Sequence, residues 1–151
     1  MEWKFPAKAA AQLQQQVQGT VVVSADAAYH SARQAFVANY QAFPQIIVYC
    51  EVFSDAAAAL AFAREWKLSP VCRAGGHSTA GYSVNNGMII DVSRLSYVVV
   101  DSRAKRAVVG AGTNFGHLNA ALDTYGLHLP GGGCDDVAIA GYMMGGEGAC
   151  F

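Results

Sequence analysis

The apolar residues of this chain come in short β-branched runs, each followed by a stretch with helical spacing. In "VVVSADAAYHSARQAFVANY" the run Val21 to Val23 precedes Tyr29, Ala32, Phe36 and Tyr40 behind Asp26 as N-cap, a pattern that predicts strand, turn and helix. "PQIIVYCEVFSDAAAALAFAREWKLSPVCR" repeats it. Ile46 to Tyr49 reads as a buried strand, Ser54 or Asp55 caps an alanine-rich helix, and Val71 to Arg73 follows Pro70 as a second strand. Together these form a parallel βαβ unit.

From Gly75 onward the texture changes to β-branched runs punctuated by glycine. "MIIDVS" reads as a strand, and "YVVVDSRAKRAVVGAG" as a hairpin turning at Asp101 to Arg106, which places a second, mainly antiparallel lobe here. In "TNFGHLNAALDTYGLHLP", Thr113 or Asn114 caps a helix with Leu118, Ala121, Leu122 and Tyr125 on one face, and Gly126 ends it before another strand.

Composition narrows the class. The 151 residues suit one domain, 53% apolar and only 14% charged, so the chain has a large interior and is not a disordered tail. Ten Lys plus Arg against eleven Asp plus Glu leave a net charge of −1, with no electrostatic footprint for nucleic acid or an anionic membrane. The longest apolar run, Ala56 to Ala63, is too short for a membrane span, and "MEWKFPAKAA" lacks the apolar core of a secretory signal. As written the chain reads as cytoplasmic, with secretion of a longer protein left open. Cys50, Cys72, Cys134 and Cys150 show neither CxxC nor a zinc-type His spacing, so each is read as a reduced thiol, and Cys50, Cys72 and Cys150 as small buried hydrophobes.

Two glycine-rich segments carry the candidate chemistry. In "CRAGGHSTAGYS" two glycines after a strand free the main-chain N–H groups to converge on an anion, with Arg73 adding charge nearby. The alternative is a tight turn with a hydrogen-bonded histidine. No GxxxxGK[ST] is present, and Gly75 to Gly81 lead toward a strand where a nicotinamide-type GxGxxG would open a helix. Tyr82 and His117 are read as structural.

The ordered set "RAGGHSTAGYSVNNGMIIDVSRL", "GAGTNFGHLNAAL" and "LPGGGCDDVAIAGYMMGGEG", preceded by "YHSARQAFVANYQAFPQIIVYCE", resembles the PCMH-type FAD-binding domain of the vanillyl-alcohol-oxidase superfamily, and within it the berberine-bridge-enzyme-like oxidases. The resemblance covers nearly the whole chain. It implies that Arg73, Ala74, Gly75, Gly76, His77 and Ser78 wrap the FAD pyrophosphate, that His77 bonds the flavin 8α carbon, and that Cys134 bonds flavin C6. Neutral imidazole and thiolate are the nucleophilic forms such bonds require. It also implies that Val137, Gly141, Gly145 and Gly146 border the cofactor, with a valine at 137 accompanying oxidase behaviour. Asp135, Tyr142, Glu147 and Ala149 depart from the family pattern, which more often has proline, histidine, glycine and glycine at those places.

The expected fold is therefore α+β, a βαβ lobe over about residues 1–68 and a mixed or antiparallel lobe over about 69–151, with FAD between them. The resemblance implies an oxidase that takes hydride from an alcohol, sugar or related C–H donor and passes electrons to dioxygen. A dehydrogenase using another acceptor and a flavin-binding module without turnover are the alternatives. The expected partners are FAD, a small-molecule substrate and O2, with no nucleic acid, membrane or metal. In such oxidases the substrate pocket and catalytic base lie downstream of this domain, so the chain reads as the N-terminal part of a longer protein.

Overall fold

Val48, Ile90 and their neighbours are flanked on both faces, and that double burial organises the fold. The computed structural model describes residues 4–145. Its elements in chain order are α1 (Ala7–Gln16), β1 (Thr20–Val23), α2 (Tyr29–Ala32), β2 (Ile46–Tyr49), α3 (Phe53–Glu65), β3 (Pro70–Arg73), β4 (Met88–Asp91), β5 (Val98–Asp101), β6 (Arg106–Val109), α4 (Phe115–Asp123) and α5 (Ile139–Gly145). The first sheet runs β1-β2-β4-β3, with β1 antiparallel to β2 and the other three strands parallel.

Alternation along the central strands sends side chains to two cores. Ile46, Val48, Met88 and Ile90 pack with Leu13 of α1 and Ala59, Phe62 and Ala63 of α3, while Ile47 and Ile89 pack with Val22, Ala32, Ala42 and Val84 on the other face. Each such aliphatic side chain, fully buried, contributes about 1.5–3 kcal/mol. Asp55 at the start of α3 is buried and ties the helix to the strand ahead of it. It accepts the N–H groups of Gln18 (2.9 Å), Gly19 (3.0 Å), Glu51 (2.9 Å) and Val52 (3.3 Å). Burial opposes its ionisation, but the four backbone donors outweigh that and hold the carboxyl below its ordinary value.

Three expectations are corrected. First, "MIID" is not part of an antiparallel lobe: β4 lies between β2 and β3, so the first sheet extends to Asp91 and the boundary near residue 68 falls inside it. The crossover from β3 to its parallel neighbour is the irregular segment 74–87, without the helix that usually announces such a connection. Second, α2 is one turn long. The Arg33 guanidinium, buried beyond its end, donates to Gln41 Oε1 (2.9 Å) and the Ala42 carbonyl (3.1 Å) and lies 4.4 Å over the Phe43 ring, so tertiary bonds draw 34–44 into a loop. Asp26 caps nothing there; its carboxylate accepts the Val23 N–H at 2.8 Å. Third, no strand follows Gly126 among the described residues.

α1 is an element the runs above do not announce. Its contacts come from Phe5, Ala9, Leu13 and Val17, four residues apart, with alanine too small to stand out as a core position. The hairpin β5/β6 forms as expected, antiparallel and turning through 102–105. Asn114 caps α4, accepting the His117 N–H at 2.9 Å, and Leu118 and Leu122 face inward while Tyr125 is exposed.

Candidate cofactor site

The parallel strands end together: register sets Tyr49 and Arg73 each opposite Asp91. Ligands of open parallel sheets sit at this carboxyl edge. A cleft of about 310 Å³ opens there, lined by Tyr49, Arg73, Asp91 and Ser93 at or just past the strand ends, by Ala74, Gly75 and Gly76, and by Ser31, Ala32, Gln34, Ala35 and Phe36.

Arg73 and Asp91 are buried side by side and joined by an ion pair from Nε to Oδ2. Asp91 Oδ1 accepts the Ser93 N–H (2.9 Å) and the Ser93 hydroxyl, and Arg73 donates onward to the Gln34 carbonyl at 3.1 Å and the Tyr49 hydroxyl at 3.4 Å. Thus Arg73 borders the cleft as expected, but its charge is already neutralised. Its effect is to fix where the following loop begins. Asp91 was not among the candidate residues; a carboxylate closing the apolar run "MIID" was the available signal, since a charge at a buried position needs a partner.

The loop after Arg73 is shaped for close approach. Gly76 has φ +73°, a backbone state that favours glycine. A Cβ on Gly75 would come within 3.0 Å of the Ala138 amide nitrogen and 3.1 Å of the Asp136 carbonyl oxygen, so the first glycine-rich segment lies directly against the second. Among the described residues, the N–H groups of Gly75, Gly76, His77 and Ser78 donate to no protein acceptor. Four successive main-chain donors without protein acceptors at a sheet's carboxyl edge are the kind of donor set a pyrophosphate takes.

His77 is half-buried, its imidazole stacked on the Phe36 ring with centroids 4.3 Å apart and planes 20° apart. Cys134 is exposed and unbridged. The segment that carries it is stitched to the α4 side of the molecule. The Val137 carbonyl accepts from Phe115 N (3.0 Å), the Asp135 carbonyl from Gly116 N (3.0 Å), and Ile139 N donates to Thr113 O (2.8 Å). Val137 itself is buried. Tyr142 packs edge-on against Phe115 at 5.0 Å, a structural role for one departure from the family pattern. Gly141 and Gly145 lie on α5, and a Cβ at either would meet nothing within 4 Å. Gly146, Glu147, Ala149 and Cys150 lie outside the described residues.

The remaining thiols differ in setting. Cys50 is fully buried, and burial, then the nearby Asp55, Asp91 and Cys72 charges, push its pKa up to about 12. Cys72, expected to be buried, is exposed on the edge strand β3; desolvation and Asp91 raise its pKa as well. His117 is exposed, with Nδ1 3.1 Å from the Ser96 hydroxyl, and Tyr82 is exposed too.

The sequence profile described as "FAD binding domain" matches residues 44–151. The chain belongs to this FAD-binding family. Its similarity to an uncharacterized FAD-linked oxidoreductase of Bacillus subtilis, YgaK, is 36% identity over 129 residues, 85% of this chain and 29% of that protein. With the (R)-6-hydroxynicotine oxidase of Paenarthrobacter nicotinovorans it shares 25% identity over 131 residues, 86% of this chain and 29% of the oxidase. The solved structure of the wild-type berberine-bridge-like enzyme 1 of Physcomitrella patens superposes with a TM-score of 0.82 at 28% identity, over 88% of this chain and 30% of that one. The fold is thus the PCMH-type FAD-binding fold, in an α+β arrangement. The chain spans less than a third of the length of each of these relatives.

Proposed function

We propose that this chain is the FAD-binding part of a berberine-bridge-like oxidase, with the cofactor lying at the carboxyl edge of the first sheet between the two glycine-rich segments and tethered by His77 and Cys134. One observation supports the reading: Gly75, which lines the cleft, lies within a Cβ's reach of Asp136 and Ala138, so the loop that leads to His77 touches the segment that carries Cys134. The free N–H groups of Gly75 to Ser78 hold the pyrophosphate, as a carboxylate-bound arginine leaves main chain as the donor set. Gly141 and Gly145, bare toward open space, let the backbone approach the cofactor closely. Bound flavin supplies hydride acceptance from an alcohol, sugar or related C–H donor and reoxidation by dioxygen. The protein's share is binding, orientation and exclusion of water. Val137, buried in the second segment, borders the route of dioxygen to the flavin, and a valine there fits oxidase behaviour, as the family resemblance implies.

The test is the visible spectrum and intact mass of the purified holoprotein after denaturation. Flavin that stays with the polypeptide, is retained through Cys134 in His77→Ala and through His77 in Cys134→Ala, and is lost from the double variant supports both tethers. Flavin released in full from wild-type protein overturns them. Peroxide formed in step with substrate consumption supports the oxidase, and turnover without peroxide assigns a different acceptor.

A further inference from the structure

We infer that Phe36 is a positioning residue for the covalent attachment of FAD at His77, an inference that rests on the tether proposed above. Phe36 is a large apolar side chain 68% exposed on a loop in this chain, and three contacts fix its place. The Phe36 N–H donates to the Gly76 carbonyl at 3.2 Å, the Gln34 carbonyl accepts from Arg73 at 3.1 Å, and the Phe36 ring stacks on the imidazole. The 34–36 loop is therefore pinned on both sides of Gly75, and the stack fixes the side chain that must react at the 8α carbon.

The geometry suits bond formation. An imidazole nitrogen attacks with a lone pair lying in the ring plane. Stacking covers a π face and leaves the ring edge free. Attachment forms a bond from that nitrogen to the flavin 8α carbon while one C–H bond and the imidazole N–H bond break. The two protons and two electrons reside on the isoalloxazine ring until dioxygen takes them as peroxide. A ring held near the attack orientation meets this requirement more often than one free to rotate, and misorientation of this kind costs about tenfold to a hundredfold in rate.

Apoprotein prepared under riboflavin starvation is mixed with FAD, and the flavin-modified fraction of tryptic peptide 74–94, which contains His77 but not Cys134, is followed by mass spectrometry. With FAD saturating for each variant, as set by a parallel binding titration, Phe36→Ala and Phe36→Leu are expected to modify the peptide at least about tenfold more slowly, with melting temperatures confirming the fold. Phe36→Tyr, which keeps the stack, is expected to restore the rate. Wild-type rates at saturating FAD in Phe36→Leu, or no rescue in Phe36→Tyr, would each overturn the inference while the His77 bond stands. An unmodified peptide 74–94 in the wild-type protein overturns the tether, and this inference with it.

Discussion

Removing the Asp91 carboxylate strands a buried guanidinium, and the consequence can be sized. In Asp91→Leu, Arg73 keeps, among the described residues, the Gln34 carbonyl and Tyr49, through its hydroxyl and ring, as partners, in a position 5% exposed. The Ser93 N–H and hydroxyl lose their acceptor as well. Breaking a buried ion pair from one side costs about 3–5 kcal/mol, which for a domain of this size lowers the melting temperature by roughly 6–20 °C. Arg73→Met costs less, since Asp91 keeps both Ser93 donors. The double variant Arg73→Met/Asp91→Leu removes the uncompensated charge together with its partner, so its loss is smaller than the sum of the singles by at least about 1 kcal/mol. Thermal unfolding of the apoprotein, followed by far-UV circular dichroism, measures all four corners of the cycle. Singles that add to within about 0.5 kcal/mol, or an Asp91→Leu loss below about 1 kcal/mol, would refute the claim that this pair anchors the loop.

Gly75→Val places a branched side chain against Ala138 N and Asp136 O, so it is expected to destabilise by about 1–3 kcal/mol and to weaken FAD binding, checked by melting and by fluorescence titration of the apoprotein. Alkylation of native apoprotein at pH 8 is expected to label exposed Cys134 before Cys72, whose thiol is pushed up, and to leave buried Cys50 unmodified, as peptide mass mapping will show. The Asp55 carboxyl is held below its ordinary value of 3.8, so its contribution to stability is present above that pH and is lost as pH falls through the folded value. Asp55→Asn is expected to cost about 2–3 kcal/mol near neutral pH and to flatten the acid limb of a stability-versus-pH curve.

Gly75, Gly76 and His77 stood out in the sequence as a glycine-rich stretch after a strand, and Cys134 only through the family resemblance; the structure brings the two segments into contact at Gly75. β2, α3, β3 and the β5/β6 hairpin were legible from period and punctuation. β4 was misplaced because a parallel neighbour reached through an irregular crossover carries no local sign of which sheet it joins. Phe36 and Tyr40 kept helical spacing yet lie on a loop, since Arg33 buried against 41–43 outweighs one further turn of helix. Neither the Arg73–Asp91 pair nor the Phe36–His77 stack could be read locally, each joining residues far apart in the chain.

The misplaced strand explains the site's position. Because β4 runs parallel to β3, segment 74–87 must leave the sheet at its carboxyl edge and return along its length before β4 can begin. The first part of that path is therefore committed to the edge, where the strand-end register of Tyr49, Arg73 and Asp91 holds it. The last part buries Val84 against Ile47 and Ile89. A helical crossover would also leave its first four N–H groups free and satisfy the rest internally. The irregular one leaves the N–H groups of Gly75 to Ser78 without protein acceptors among the described residues, so the topology that hid β4 from the hydrophobic pattern also sets free main-chain donors at the carboxyl edge.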